Sequence, residues 1–175
     1  MAGRENILIS GAYVLTLDAD DTILEDADVY LSDGEIAGVG PRGTFDGRPV
    51  DRRIDGTHRC VMPGLVNAHT HSPAAFAKGT LDCDDHPRFM WRNQADTVGR
   101  TREEIHTCTL LAALEMIRTG TTAVIDNFPE QPFSSVDVEP AVAAYKDAGL
   151  RATLALRVYD EPYYDILPPE DAALP

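Results

Sequence analysis

Apolar and polar residues alternate along much of the first 60 positions, as in β-strands with one buried face. Two such stretches, residues 6–18 and 27–40, are rich in Val, Ile, Leu and Tyr, and this composition favours strands. Asp33 and Gly34 separate two apolar runs within the second stretch, and Asp-Gly at such a position is a strong signal for a type I′ hairpin. The pattern therefore predicts a small antiparallel sheet before residue 60.

The pattern changes near residue 60, where short apolar runs begin to alternate with longer segments of helical period. The runs at 65–69, 121–126 and 151–160 have the length and composition of strands. Helical segments separate each run from the next. The second part of the chain is therefore predicted to follow the order strand, helix, strand, helix, strand.

The first predicted helix has clear signals at both ends. Thr101 and Glu104 have the spacing of a capping box, and Gly120 supplies the C-terminal stop. The apolar positions expected to mark its buried face are Leu110, Leu114 and Ile117.

The second predicted helix is expected to be capped by Asp137 and to end at Gly149. The apolar residues predicted to share one of its faces are Val138, Val142 and Tyr145.

Strands that alternate with helices imply a parallel sheet. Such a sheet is either an open doubly wound sheet or a closed (β/α)₈ barrel. The chain contains no GxGxxG after its first barrel-type strand and no GxxxxGK[ST], so the phosphate-binding turns of nucleotide-binding open sheets are missing. This favours the barrel. In both folds ligands bind at the carboxyl ends of the strands.

Charge and composition exclude several classes of partner. The chain of 175 residues carries a formal net charge of −14, which repels nucleic acid and anionic membranes. It shows neither a signal peptide pattern nor an apolar run of about 18 residues, so we expect a cytoplasmic protein. Its three cysteines form no CxxC pair, and a disulfide framework is not expected.

His69 and His71 lie at the end of the strand predicted at 65–69. Residues i and i+2 of a strand project to the same face, so both imidazoles can point at one place if the strand continues through residue 71. Neutral imidazole is a ligand for Zn²⁺ and for divalent iron. An isolated HxH is a weak signal, but here Pro63 and Gly64 precede the strand and the pair stands where barrel ligands bind.

The segment "VMPGLVNAHTH" (61–71) resembles the first barrel strand of the amidohydrolase superfamily. The resemblance is to the aminohydrolase and chlorohydrolase branch, which acts on triazines, guanine, cytosine and S-adenosylhomocysteine. It extends to "SPAAFAKGTLD", "LLAALEMIRTGTTAVID" and "AYKDAGLRATLALRV", and so covers nearly the whole chain. It implies an incomplete (β/α)₈ TIM barrel over 61–175, with three strands and two helices, preceded by a small β-sandwich segment over 1–60.

By this resemblance His69 and His71 are ligands of one divalent metal, Zn²⁺ or Fe²⁺. The family takes its other ligands, and a proton-shuttling glutamate, from later strands, so no catalytic residue is expected in this chain. The other histidines lie outside the expected ligand positions and are read as structural: His58, His86 and His106. Asp165 and Asp171 come too early to be the family's eighth-strand aspartate.

Two imidazoles are fewer than the three protein ligands of a usual catalytic zinc site, so this chain alone is not expected to catalyse. Three accounts remain open. A second polypeptide carries barrel strands 4–8 and forms a hetero-oligomer with this chain; or the chain is a fragment of a longer polypeptide; or it is an inactive binding or scaffold subunit. The first is favoured.

If the site is completed, the resemblance implies hydrolytic deamination of a small heterocyclic substrate, in which metal-activated water attacks an sp² carbon. Hydrolysis of a cyclic amide or a chloro-substituted heterocycle is the alternative. Trp91 and Gln94 lie in the long segment after the first strand, and are candidates for stacking on and pairing with a flat ring. Asp126 and Asn127 are expected at the catalytic face, where Asp126 could instead orient a loop.

Overall fold

The computed structural model describes residues 5–80, 85, 88–89, 92, 99–128 and 135–156. The chain divides into two compact units, Met1–Pro63 and Gly64–Pro175. Among the helices in this described part of the chain, none is long and apolar enough to cross a membrane.

The first unit contains a five-stranded sheet in the order β3-β2-β1-β4, with β5 also paired to β1. The strands are β1 (Ile7–Leu15), β2 (Ile23–Ser32), β3 (Glu35–Pro41), β4 (Arg52–Asp55) and β5 (Cys60–Val61). The β1-β2 and β2-β3 pairs are antiparallel, whereas β4 and β5 run parallel to β1. The sheet is therefore mixed, and the prediction of an antiparallel sheet was wrong for β4 and β5. The β-sandwich stays a prediction.

The predicted hairpin is confirmed. Ser32 pairs with Glu35, so two residues form the turn between β2 and β3. Asp33 and Gly34 have φ of 55° and 81°, and positive φ at both central positions is the requirement of a type I′ turn.

A small apolar core and one buried carboxyl group hold the first unit together. Its buried cluster is Ala12, Val14, Ala27 and Val29. Asp28, only 1% exposed, accepts hydrogen bonds from Ser10 Oγ at 2.7 Å and from the backbone N–H groups of Gly11 and Gly43 at 3.1 and 2.8 Å. A buried polar group is tolerated only when it is satisfied in this way.

The second unit is built on a three-stranded parallel sheet in the order β6-β7-β8. Its strands are β6 (Leu65–Thr70), β7 (Thr121–Phe128) and β8 (Arg151–Leu156), and its α-helices are α1 (Arg102–Arg118) and α2 (Ser135–Ala148). A 3₁₀ helix, Ser72–Ala77, follows β6 directly. The order of strands and helices agrees with the sequence prediction of an α/β unit.

Helix α1 begins with the predicted capping box, in which Thr101 and Glu104 each bond the other's backbone N–H. Its buried face is not the predicted one, because Leu114 and Ile117 are 46% and 39% exposed. The residues that are buried on α1 are Ile105, Cys108, Thr109 and Ala113. Ile105 packs with Phe128 of β7 and Ala113 with Val124 of the same strand, so the helix contacts the sheet through residues other than the predicted ones.

Helix α2 begins at Ser135, so Asp137 lies inside the helix and the prediction that it caps the helix was wrong. The helix ends before Gly149, whose φ of 72° is the left-handed conformation typical of a helix stop. Its buried residues among those described are Pro140, Ala141, Ala144 and Tyr145. Val142 is 37% exposed and Val138 is half-buried, so of the three apolar residues predicted to share a face only Tyr145 is fully buried.

Candidate metal centre

His69 and His71 directly precede and directly follow Thr70, the residue at the carboxyl end of β6. His69 is inside the strand, Thr70 is its last residue, and His71 is the N-cap of the 3₁₀ helix with an extended backbone (φ −130°, ψ 91°). The extended conformation therefore continues through residue 71, as the sequence argument required.

An irregularity in the pairing of β6 with β7 turns the His69 ring toward Asn127. Asn67 pairs with Val124 and Thr70 with Asp126, so β6 has one more residue than β7 between these pairs, as in a β-bulge. Asn67 Nδ2 contacts Met116 Sδ of α1 at 3.4 Å, on the helix side of the sheet. His69 instead reaches the side chain of Asn127 on β7.

The two imidazole rings approach each other through their Nε2 atoms. His69 Nε2 and His71 Nε2 are 3.2 Å apart. The ring centroids are 4.9 Å apart, and the ring planes meet at 89°. Each ring therefore presents its Nε2 atom to one shared point.

Asn127 holds the opposite nitrogen of each ring. Its backbone oxygen lies 2.6 Å from His71 Nδ1, and its side-chain Nδ2 lies 2.9 Å from His69 Nδ1. A carbonyl oxygen can only accept, so His71 carries a proton on Nδ1 and its Nε2 has a free lone pair. For His71 this is the support that metal-binding histidines usually receive from neighbouring groups.

Asp126, the residue before Asn127, supports the site from the helix side. It is fully buried and accepts hydrogen bonds from the N–H and the hydroxyl of Ser72, at 3.0 and 2.5 Å, and from the Tyr145 hydroxyl at 2.9 Å. Ser72 Oγ also lies 3.2 Å from Thr109 Oγ1 of α1. Because Ser72 follows His71, this network fixes the chain directly after the second histidine.

The phenol of Tyr145 is strongly perturbed by this environment. Burial, and then the nearby carboxyl group of Asp126, raise the pKa of Tyr145 far above its ordinary value of 10.0. Tyr145 therefore remains a hydrogen-bond donor to Asp126 throughout the range in which proteins usually work.

Both histidines line a cavity of about 490 Å³ within the second unit. The wall facing them is formed by the 3₁₀ helix and by the C-terminal half of α1, including Ala75, Glu115 and Met116. Lys78 and Glu115, which also line it, form an ion pair. His69 and His71 therefore border a space that admits small molecules or further protein groups.

The geometry of the two nitrogens fits a tetrahedral metal. Zn–N bonds of about 2.0–2.1 Å place two ligand nitrogens about 3.3 Å apart, and the observed separation is 3.2 Å. No group of three or more His, Cys, Asp or Glu side chains suited to a metal occurs in the part of the chain that the structure describes. His69 and His71 form a two-ligand half-site here.

Trp91 and Gln94, proposed for substrate contact, lie outside the described residues, as do His86, Asp165 and Asp171. His58 lies in the first unit, with φ of 59°, and His106 Nε2 of α1 lies 2.9 Å from Asp147 Oδ2 of α2.

Sequence reasoning placed Asp126 and Asn127 near the site and offered the orientation of a loop as one role for Asp126, but it gave no individual role to Asn127. It gave no role to Ser72 or to the hydroxyl of Tyr145. The available signal was the alternation of strand β7, which puts adjacent residues on opposite faces. That alternation sends Asp126 toward the helices, where it is buried, and Asn127 toward the histidines.

Fold and site together define an α/β unit with a three-stranded parallel sheet and paired imidazoles at the carboxyl end of its first strand. No family model matches the chain. The chain is 37% identical over 154 residues to the 5-methylthioadenosine/S-adenosylhomocysteine deaminase of Pelotomaculum thermopropionicum, a match that covers 86% of this chain and 34% of that protein.

Two solved structures extend the comparison. An adenosine deaminase from Xanthomonas campestris with bound zinc has a TM-score of 0.68 and 34% identity, covering 84% of this chain and 33% of that one. A variant of the atrazine chlorohydrolase TrzN from Arthrobacter aurescens TC1, complexed with zinc and atraton, has a TM-score of 0.77 and 27% identity, covering 85% and 35%.

These matches confirm the resemblance stated from the sequence. The relatives and structural neighbours come from the aminohydrolase and chlorohydrolase branch of the amidohydrolase superfamily, and this chain corresponds to part of such a protein. The chain spans about a third of the length of the curated relatives that it matches.

Proposed function

We propose that this chain carries the first part of a metal-dependent hydrolase, in which His69 and His71 provide two ligands of a divalent metal. The observation that carries the proposal is the 3.2 Å separation of the two Nε2 atoms at the carboxyl end of β6. Two structural neighbours that contain zinc support a divalent metal. Zn²⁺ and Fe²⁺ are both compatible with imidazole ligands.

We propose hydrolytic deamination of an N-heterocycle as the reaction. The bound metal would activate a water for attack on an sp² ring carbon, with loss of the amine and formation of a carbonyl. In this proposal the residues of this chain position the metal. The two histidines hold the ion, Asn127 fixes both rings, and Asp126 fixes the backbone after His71. The deaminases of methylthioadenosine, S-adenosylhomocysteine and adenosine among the relatives favour an amino group on a purine ring.

A second candidate is displacement of chloride from a chloro-substituted heterocycle. It is supported by the atrazine chlorohydrolase structure, which has a TM-score of 0.77 and 27% identity. The two reactions would use the same two histidines and differ in the leaving group, so the products distinguish them.

The rest of the barrel must supply the remaining ligands and the proton-shuttling glutamate. In our proposal strands 4–8 come from a second polypeptide, which makes a hetero-oligomer, or from the continuation of a longer chain. Val66 of β6 and Leu156 of β8 are 69% and 46% exposed, and apolar residues on strands are usually covered. Trp91 and Gln94 remain candidates for contact with the heterocycle.

The decisive experiment compares this chain alone with this chain completed by the remaining barrel strands. Each sample is loaded with Zn²⁺ or Fe²⁺ and given 5-methylthioadenosine, S-adenosylhomocysteine or a chlorotriazine, and released ammonia and chloride are measured. We expect ammonia from the completed protein only, and its loss in His69→Ala. A completed protein that binds neither metal ion would instead support the inactive scaffold, and chloride release would support the second candidate.

A further inference from the structure

Arg100 joins the beginning of α1 to the 3₁₀ helix that follows His71. Arg100 lies directly before the N-cap of α1 and is half-buried. Its Nη1 atom donates to the backbone oxygen of Pro73 at 2.5 Å, and its Cζ atom lies 5.4 Å from the centre of the Phe76 ring. The same nitrogen lies 3.5 Å from Cys108 Sγ on the buried face of α1. Arg100 therefore contacts the 3₁₀ helix at two residues while it is held against α1.

The two contacts with the 3₁₀ helix suit a planar guanidinium group. A hydrogen bond from a charged donor is stronger than one from a neutral donor, and a cation over an aromatic face adds a further attraction. Arginine can make both contacts at once, because its donors lie in the plane of the group and leave the face available for stacking. Pro73 is fully buried and Phe76 is exposed, so Arg100 holds the short helix on both its buried and its exposed side.

The 3₁₀ helix is anchored at two consecutive residues by two different elements. Asp126 of β7 accepts hydrogen bonds from Ser72, and Arg100 donates to Pro73. The helix has only six residues, and the internal hydrogen bonds of such short 3₁₀ helices have poor geometry. A single anchor would leave the helix free to pivot about Ser72. The second anchor, which comes from the other side of the helix layer, fixes its direction.

The direction of the 3₁₀ helix is passed to His71 through the backbone. His71 is the N-cap of this helix, and its backbone oxygen accepts the N–H of Ala74 at 3.0 Å. Ala74, Ala75 and Lys78, in the helix or directly after it, line the cavity that both histidines border. A change in helix direction would therefore move His71 and one wall of the cavity, whereas His69 lies inside β6 and is held by the sheet.

We propose that Arg100 is a positioning residue of the candidate metal centre, which holds the His71 ring against the His69 ring by anchoring the 3₁₀ helix. Its action passes through the backbone of that helix. The proposal rests on the proposed function only where it takes the two rings as metal ligands, because the approach of the rings can be observed without a metal.

Two substitutions separate the contacts of Arg100. Arg100→Met keeps an unbranched apolar side chain but loses the charge, the donor to Pro73 and the stacking on Phe76. Arg100→Lys keeps the charge and a donor for the Pro73 oxygen, but its ammonium group cannot reproduce the planar stack. The lysine variant should therefore lie between the wild type and the methionine variant in every measurement of the His71 position.

The test is NMR of the full chain, which measures the through-space contact between the carbon-bound ring protons of His69 and His71 in the absence of metal. Zinc affinity is measured separately by chelator competition, with Zn²⁺ alone as the probe. The wild type should show the contact, since the ring centroids are 4.9 Å apart. Arg100→Met should lose it and bind zinc about tenfold more weakly, the lower end of the loss typical for groups that support metal ligands. Arg100→Lys should recover part of both.

Arg102→Met is the matched control. Arg102 is exposed on α1 and bonds Glu139 of α2 at 2.9 Å, so its loss should leave the ring contact and the zinc affinity unchanged. The proposal is overturned if both Arg100 variants keep the wild-type ring contact, or if Arg102→Met loses it as well. If Arg100→Met does not fold, Arg100→Lys decides: a weakened ring contact supports the proposal and a wild-type contact overturns it. A ring contact that depends on Arg100 in a protein that binds no zinc would overturn the proposed function and leave the role of Arg100 intact.

Discussion

Asp126 accepts two hydrogen bonds from Ser72, one from the backbone N–H at 3.0 Å and one from the hydroxyl at 2.5 Å. Ser72 is the first residue of the 3₁₀ helix, and His71 is its N-cap. A buried carboxyl group on β7 thus fixes the point at which the chain leaves the candidate metal centre.

Asp126→Ala should lower the free energy of unfolding by about 3 kcal/mol, because it leaves buried donors of Ser72 and Tyr145 without this acceptor. Zinc binding should weaken as well, since Ser72, which directly follows His71, loses its anchor. Urea unfolding and zinc titration measure the two effects. Asp147→Ala is the control: this carboxyl group is 64% exposed, and its loss should cost less than about 1 kcal/mol. Equal losses in the two variants would contradict the role of Asp126.

The stability of the second unit should fall at alkaline pH because of Tyr145. Its pKa is raised in the folded protein, so above pH 10 the unfolded chain loses the phenolic proton while the folded chain keeps it. Stability is fully present below the unfolded pKa of about 10 and then falls by up to about 1.4 kcal/mol per pH unit as pH rises toward the folded value.

Tyr145→Phe should flatten this alkaline decline and also lower stability at neutral pH by about 1–2 kcal/mol, through loss of the hydrogen bond to Asp126. Unfolding curves between pH 8 and about 12 measure both effects. Tyr13→Phe, at a side chain that is 42% exposed, should follow the wild-type profile. An alkaline decline that is unchanged in Tyr145→Phe would show that another group causes it.

In the first unit, Asp28→Ala should lower the free energy of unfolding by about 2–3 kcal/mol, because Ser10 Oγ and two glycine N–H groups lose a buried acceptor. Glu25→Ala is the matched control on the same strand. The Glu25 side chain is exposed, so its loss should cost less than about 1 kcal/mol. Thermal unfolding of the two variants decides between a structural carboxyl group and a merely solvated one.

Local signals explain what the sequence could predict. The Asp33-Gly34 hairpin and the capping box of Thr101 and Glu104 are determined by neighbouring residues, and both are present in the structure. The alternation of strands and helices in the second unit also follows from local periodicity. His69 and His71 could be placed at a strand end because their spacing and the preceding apolar run lie within one short segment.

Long-range packing explains what the sequence could not predict. The parallel pairing of β4 and β5 with β1 joins distant segments. The buried face of α1 depends on which side chains fit against β7, and the smaller Ala113 packs there while Leu114 remains 46% exposed. The contacts of Asn127 with His69 and His71 depend on the irregular pairing between β6 and β7, for which periodicity contains no signal.

The most direct test of the account is X-ray absorption at the zinc edge, made on the zinc-loaded protein with its complete barrel. His69→Ala and His71→Ala should each remove one imidazole from the zinc coordination shell and weaken zinc binding, because each ring supplies one Nε2 ligand. His106→Ala should leave the shell unchanged, because this histidine bonds Asp147 on the helical layer. A coordination shell that is identical in the wild type, His69→Ala and His71→Ala would contradict the central claim.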